Sequence, residues 1–171
     1  MSKNLQDLQP DFKNKVISVL KRCANDKITM IPYCTFRTLE EQARLWRQSR
    51  TTSEIDKKTK FLRENNCKYL AHIIDKVGPQ NGRWATNAIP GLSWHNWGYA
   101  VDCYAEIEGI ACWDANNNAY NVYAKHARSV GLEAGHLWKH KDSVHIQMND
   151  KSITDMYTLK EVNDYFENMQ G

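Results

Sequence analysis

The chain has 171 residues, a length that fits one domain and leaves little room for a second full core. Hydrophobic residues make up 42% of it and charged residues 25%, which supports a packed interior under a charged surface. Lys and Arg number 23 against 20 Asp and Glu, and this net charge of +3 is too small to indicate nucleic-acid binding. No apolar run approaches the ~18 residues of a membrane-spanning helix, so we expect no membrane insertion.

Two further features bear on the compartment. Residues 1–10 are polar and lack the basic and then apolar order of a secretory signal, so we expect the chain to be synthesised in a cytoplasm. The five cysteines are odd in number and include no C-x-x-C pair. We expect them to be reduced thiols that pack as small apolar groups: Cys23, Cys34, Cys67, Cys103 and Cys112.

The first 77 residues contain no glycine and are therefore predicted to be mainly helical. Apolar residues at three- and four-residue steps predict a first helix that begins near Pro10. The loosely alternating stretch Ile28–Phe36 follows it and contains Pro32. Because proline cannot donate a hydrogen bond to a neighbouring strand, this stretch is predicted to be a short edge strand.

More helical segments follow. Thr38 lies three residues before Glu41, which is the spacing of a capping box that opens a helix. Apolar residues from Ile55 to Val77 indicate a second amphipathic stretch, which we expect to end where glycine and proline follow it. The capping spacing recurs at Thr158, which predicts a last helix.

The region Gly78–Met148 differs in kind, because it holds seven of the eight glycines and five of the six tryptophans. Two segments in it alternate between apolar and polar residues and are predicted to be strands, Tyr99–Tyr104 and Val144–Met148. Between them, Tyr120–Val130 is predicted to be a helix that ends at Gly131.

The segment Ser93–Asp102, with the sequence S-W-H-N-W-G-Y-A-V-D, is the most informative part of the chain. His95 precedes a glycine turn, and Asp102 lies on the polar side of the strand that follows, so a turn and a short strand can fold them toward one point. His145 lies on the polar side of the later strand. Two imidazoles and a carboxylate are three ligands for Zn²⁺, with a fourth position open for water. Asp142 lies three residues before His145, where a carboxylate can accept a proton from that water.

This segment resembles the S-x-H-x-x-G-x-A-x-D signature of the M15 metallopeptidases. The run W-K-H-K-D-S-V-H at residues 138–145 is similar to the second block of that family, W…D-x-x-H. A third block, Phe36-Arg37-Thr38-x3-Gln42, resembles the family's Y/F-R-S/T…Q segment, and the three blocks stand in the family's order. Within the family, the similarity is greatest to the phage L-alanyl-D-glutamate endopeptidases, which are endolysins.

The resemblance implies an α+β fold in which a small antiparallel sheet carries the zinc site and packs against helices. It implies one zinc ion per chain with three ligands: His95, Asp102 and His145. It implies three substrate-binding side chains: Arg37, Ser93 and Gln42. Asp142 takes the place of the catalytic acid/base. The run Gly135–Trp138 departs from the glycine-rich sequence of many relatives, and we expect His136 at the rim of the pocket rather than as a fourth ligand.

The function implied is zinc-dependent hydrolysis of the peptidoglycan stem peptide, at the L-Ala–D-Glu bond, by a monomeric phage endolysin. It would act on the cell wall after release from the host cytoplasm. One peptidase domain would span residues 1–171, with a helical part at about 1–77, the zinc-site part at about 78–150 and a C-terminal helix at about 158–169.

Two alternatives remain open. A D-Ala-D-Ala carboxypeptidase or dipeptidase would use the same metal site, and only its pocket would differ. An inactive, zinc-bearing module that binds the cell wall would also keep the ligands. The presence of Asp142 argues against this second alternative, because a binding module has no need for a base beside the metal.

Overall fold

The computed structural model describes residues 1–169, which form seven α-helices and five β-strands. The helices are α1 (Pro10–Asn25), α2 (Leu39–Arg47), α3 (Thr52–Glu64), α4 (Lys68–Lys76), α5 (Asn118–Ser129), α6 (Ile153–Met156) and α7 (Leu159–Asn168). The strands are β1 (Thr29–Cys34), β2 (Ala100–Ile107), β3 (Ile110–Cys112), β4 (Glu133–Ala134) and β5 (His145–Gln147). Within this part of the chain, no helix combines the length and the apolar character needed to cross a membrane.

The chain divides into two compact units, each built from two separate stretches of sequence. The sheet unit comprises Met1–Phe36 and Trp97–Asp150. The helical unit comprises Arg37–Asn96 and the chain from Lys151 onward. The expectation of one peptidase domain with three sequential parts stays a prediction.

The sheet unit contains one antiparallel sheet with the strand order β1-β2-β5-β4, and β3 pairs with the far end of β2. β1 lies at an edge, as predicted from Pro32. In β2, Val101 and Cys103 belong to the hydrophobic core. Since side chains of a strand alternate between its faces, Asp102 and Tyr104 lie on the face opposite that core. The structure thus confirms the predicted α+β class with a small antiparallel sheet.

The core of the sheet unit lies between the sheet and two helices, α1 and α5, which pack against each other. α1 has Pro10 as its first residue, where the missing N–H group removes no hydrogen bond of the helix. Its buried face includes Phe12 and Val16, which join Tyr120 and Tyr123 of α5 in one cluster. Burial of each such side chain contributes about 1.5–3 kcal/mol, and this core fixes the helices against the sheet.

In the helical unit, α4 packs against α2, α3 and α7. The predicted capping boxes are confirmed at Thr38 for α2 and at Thr158 for α7. The N-terminus of α4 has no cap from its own N-cap side chain. Instead, the buried side chain of Asn163 in α7 accepts a hydrogen bond from the backbone N–H of Leu70 at 3.1 Å. This contact satisfies one of the backbone donors that a helix leaves open at its first turn.

The predicted single stretch from Ile55 to Val77 is two helices, because α3 ends at Glu64 and α4 begins at Lys68. Between them Asn66 has a φ of 61°, in the left-handed region that ends a helix. Asparagine tolerates this conformation better than most residues, so the break costs little. The apolar spacing on either side hid the break from the sequence pattern.

None of the five cysteines forms a disulfide within residues 1–169, and four of them are buried. Burial raises the pKa of the Cys23 thiol to about 11 and that of Cys103 to about 12. Both thiols therefore stay protonated at neutral pH and pack as small apolar groups.

Candidate functional site

The sheet brings Asp102 and His145 side by side, because they are direct partners in the register between β2 and β5. The Nδ1 atom of His145 lies 2.8 Å from Oδ1 of Asp102, and both side chains are buried. Their strand neighbours Val101 and Ile146 lie in the core. The alternation of the two strands therefore places both polar side chains on the opposite face of the sheet, as the sequence pattern predicted.

The hydrogen bonds of His145 define a position for a cation. Gln147 donates from Nε2 to the carbonyl of Asn149 at 2.5 Å, so its Oε1 atom faces Nε2 of His145 at 2.9 Å and accepts a hydrogen bond from it. In the tautomer with this N–H group on Nε2, the lone pair of Nδ1 faces the carboxylate of Asp102. Nδ1 of His145 and Oδ1 of Asp102, which lie 2.8 Å apart, can then both bind one metal ion.

Cys34 adds a donor atom that the sequence analysis missed. The β1–β2 register pairs Cys34 with Asp102 across an irregularity after Pro32. The thiol sulfur and a carboxylate oxygen of Asp102 lie within 4.8 Å of each other. The ring nitrogen of His145 and the carboxylate oxygen of Asp102 suit Zn²⁺, and the Cys34 sulfur is a further atom that can bind this metal. The donor chemistry therefore fits the metal that the resemblance implies.

Asp142 is placed by the backbone of the loop between β4 and β5. Its N–H donates to the carbonyl of Gly135 at 3.0 Å, and its own carbonyl accepts from the N–H of His145 at 3.1 Å. A Cβ atom on Gly135 would lie 2.4 Å from the carbonyl oxygen of Asp142, so this close approach requires glycine. The side chain of Asp142 is exposed. The predicted acid/base is thus fixed beside His145 while its carboxylate faces solvent.

His136 is only 4% exposed, and its expected place at the rim of the pocket stays a prediction. Its Nδ1 atom lies 2.9 Å from Oγ of Ser143, and its Nε2 atom lies 3.0 Å from Oδ1 of Asn121. Burial, and to a smaller extent the charge of Lys141, lowers the pKa of His136. We infer that His136 anchors the loop that carries Asp142, since Ser143 is the next residue in that loop. The sequence offered no indication of these partners.

In the helical unit, Arg37 is held by Gln42. Nη1 of Arg37 donates to Oε1 of Gln42 at 2.8 Å, and Nε2 of Gln42 donates to the carbonyl of Ala88 at 2.7 Å. The side chain of Gln42 is fully buried. Because both ends of its amide are bonded within the chain, Gln42 fixes the direction of the Arg37 guanidinium.

Asn96 joins the turn that contains His95 to the start of α2. Its Nδ2 atom donates to the carbonyl of Arg37 at 2.8 Å, and its Oδ1 atom accepts from the N–H of Gly91 at 3.0 Å. The N–H of Arg37 in turn donates to the carbonyl of His95 at 3.2 Å. The side chain of His95 is buried and that of Ser93 is half-buried. The sequence analysis missed Asn96, although it directly follows the predicted ligand.

The predicted site residues thus fall into two groups. The sheet unit contains Asp102, Asp142 and His145, and the helical unit contains Arg37, Gln42, Ser93 and His95. The roles of all seven, including His95 as the third ligand, stay predictions.

Comparison with known proteins assigns the family. The family model VanY, described as D-alanyl-D-alanine carboxypeptidase, matches residues 5–150. The peptidoglycan L-alanyl-D-glutamate endopeptidase CwlK of Bacillus subtilis (strain 168) is 26% identical over 151 residues, which are 83% of this chain and 74% of that protein. The crystal structure of the Serratia marcescens L-Ala D-Glu endopeptidase ChiX aligns with a TM-score of 0.48 and 17% identity, over 86% of this chain and 84% of that chain. Because the family model spans most of the chain and all three motif blocks, this chain belongs to the VanY family of M15-type peptidases.

Proposed function

We propose that this protein is a zinc-dependent peptidase that cleaves the peptidoglycan stem peptide between L-Ala and D-Glu. The observation that carries the proposal is the pairing of Asp102 with His145 across β2 and β5, beside the backbone-fixed Asp142. The curated relative CwlK, which is named for this bond, supports the choice of substrate.

The proposed zinc ligands are His95, Asp102 and His145. Asp102 and His145 are supported as ligands by the closeness of Oδ1 of Asp102 to Nδ1 of His145, and His95 is supported by the spacing of the S-x-H-x-x-G-x-A-x-D motif. A zinc ion held there supplies polarisation of the scissile carbonyl and makes a nearby water more acidic. Cys34 stays outside the proposed set, because a fourth protein ligand would close the position that a substrate needs.

The proposed chemistry of the side chains divides between a base and a substrate anchor. Asp142 accepts the proton that the attacking water loses and gives it to the leaving amino group of D-Glu. The guanidinium of Arg37 binds a carboxylate of the stem peptide through two parallel hydrogen bonds. Gln42 acts through Arg37, whose direction it fixes, and Ser93 is proposed to contact the substrate at the edge of the site.

Arg37→Ala is expected to lower kcat/KM on stem peptides by about 10- to 150-fold, because a charge-assisted contact is worth ~1.5–3 kcal/mol. Zinc content should change little, while the melting temperature should fall modestly, because the change removes the hydrogen bond to the buried Oε1 atom of Gln42. Steady-state kinetics, metal analysis and thermal unfolding measure these three quantities. Arg44→Ala, which removes an exposed arginine of α2 in the same unit, is the matched control. Unchanged kinetics in Arg37→Ala would return this residue to an ordinary surface role.

The scissile bond is tested by digesting purified peptidoglycan with the zinc-loaded protein and identifying the products by mass spectrometry. New N-terminal D-Glu is the expected result. Released D-Ala would instead establish a D-Ala-D-Ala carboxypeptidase, which the description of the matching family model favours as the second candidate. No product at all would support the inactive cell-wall-binding module.

We also propose that the protein acts as a phage endolysin in host lysis, reaching the cell wall after release from the host cytoplasm. The resemblance of its three motif blocks to the endolysin branch of the family supports this role. Purified protein should lower the turbidity of Gram-negative cells whose outer membrane has been permeabilised, and Asp142→Asn should not.

We propose that the protein is a monomer. Light scattering should then give the mass of one chain, 19.9 kDa.

A further inference from the structure

Three aromatic rings form a contiguous cluster on the sheet unit. The ring centroids of Tyr33 and Trp113 are 5.2 Å apart, those of Tyr104 and Trp113 are 5.1 Å apart, and those of Tyr33 and Tyr104 are 6.2 Å apart. Trp113 directly follows β3 and is 58% exposed. Much of the apolar ring surface of Trp113 therefore contacts water instead of packing inside the fold.

The cluster lies beside Asp102, one of the proposed zinc ligands. Tyr104 and Asp102 are two residues apart on β2 and so share the face opposite the core. Tyr33 directly precedes Cys34, whose thiol lies within 4.8 Å of the Asp102 carboxylate.

The two sides of the proposed scissile bond differ in chemistry. The side that begins with D-Glu carries carboxylates and offers no ring on which an aromatic side chain could stack. The other side of the L-Ala–D-Glu bond is uncharged: L-Ala is joined by an amide to the lactyl group of a muramic acid. One extended residue spans about 3.3–3.6 Å, so the sugar ring lies only a short distance from the bond that is cut.

The chemistry of the rings matches that sugar. One face of a pyranose ring presents C–H groups and is apolar, while its edge carries hydroxyl and acetamido groups. A tryptophan ring can stack on the apolar face, and tyrosine hydroxyls can bond to the polar edge. We propose that Tyr33, Tyr104 and Trp113 form a glycan subsite that binds the muramic acid bearing the stem peptide. This inference rests on the proposed cleavage between L-Ala and D-Glu.

The subsite is tested by binding, without any need for turnover. The probe is the disaccharide N-acetylglucosamine–N-acetylmuramic acid whose lactyl group carries L-alanine amide, so it is uncharged and has no L-Ala–D-Glu bond to cut. Ligand-observed NMR on the zinc-loaded protein should show saturable binding, and Trp113→Ala should weaken it by about tenfold or more. Trp113→Phe, which keeps a ring, should retain binding within about threefold. Trp84→Ala removes a similarly exposed tryptophan of the helical unit and should change nothing.

A second arm separates this subsite from the proposed function. The same variants are assayed on a muropeptide and on its sugar-free stem peptide, and Trp113→Ala should raise KM on the muropeptide only. If the probe does not bind, or binds Trp113→Ala as well as the unchanged protein, the subsite is overturned even when both substrates are cleaved. If the probe binds through Trp113 but the L-Ala–D-Glu bond stays intact in both substrates, the proposed bond fails and the sugar site stands.

Discussion

Asp142→Asn is expected to keep its zinc while kcat falls by about 10²- to 10⁴-fold, the range for a positioned general base. Asparagine has nearly the same volume as aspartate, but its amide cannot accept the proton of the attacking water. The backbone contacts with Gly135 and His145 do not involve the substituted atoms, so the loop should keep its conformation. The measurements are kcat on a muropeptide, zinc stoichiometry and melting temperature.

Asp150→Asn is the matched control for this change, because Asp150 is an exposed aspartate of the same unit. It should change none of the three quantities: kcat, zinc stoichiometry and melting temperature. Loss of zinc from Asp142→Asn would make Asp142 a ligand, and the roles of Asp102 and Asp142 would then need to be exchanged. A variant that kept both zinc and full activity would move the base elsewhere, with Glu106 and Glu108 as the next candidates.

His145→Ala is expected to lose zinc and activity together, because it removes the ring nitrogen Nδ1, the proposed zinc-binding atom that lies beside Asp102. Protein purified without added zinc should hold about one ion per chain, and the variant should hold little at the same free zinc concentration. Metal analysis by mass spectrometry gives this ratio independently of any assay. His140→Ala removes an exposed histidine that lies five residues earlier, and it should keep both zinc and activity.

The size of the zinc loss separates a ligand from a neighbouring side chain. A variant His145→Ala that binds zinc like the unchanged protein would remove His145 from the proposed set of zinc ligands, whatever its activity.

Chelation of zinc should abolish activity and leave the fold intact, since the apolar core around Phe12 and Tyr120 lies on the other face of the sheet. Complete unfolding on chelation would mean that the metal is structural and that the open position does not exist.

Local rules were enough to predict several elements of the fold. Pro10 begins α1 because proline loses nothing at the first position of a helix, and the capping pair at Thr38 opens α2 because its side chains satisfy backbone donors within one turn. The alternation in β2 placed Asp102 on the face away from the core, and the structure confirms this. Each of these outcomes depends on residues at most four positions apart, so local sequence patterns are sufficient to predict them.

Other contacts at the site join residues far apart in the chain, and they become visible only in the folded structure. Cys34 lies beside Asp102 because β1 and β2 pair in one register with an irregularity after Pro32, and no local pattern specifies that register. His136 is buried because Asn121 and Ser143 supply partners for both of its ring nitrogens, and a histidine without such partners would stay at the surface. Strand register and the hydrogen bonding of buried polar groups depend on how the whole chain packs, so residue spacing along the sequence does not predict them.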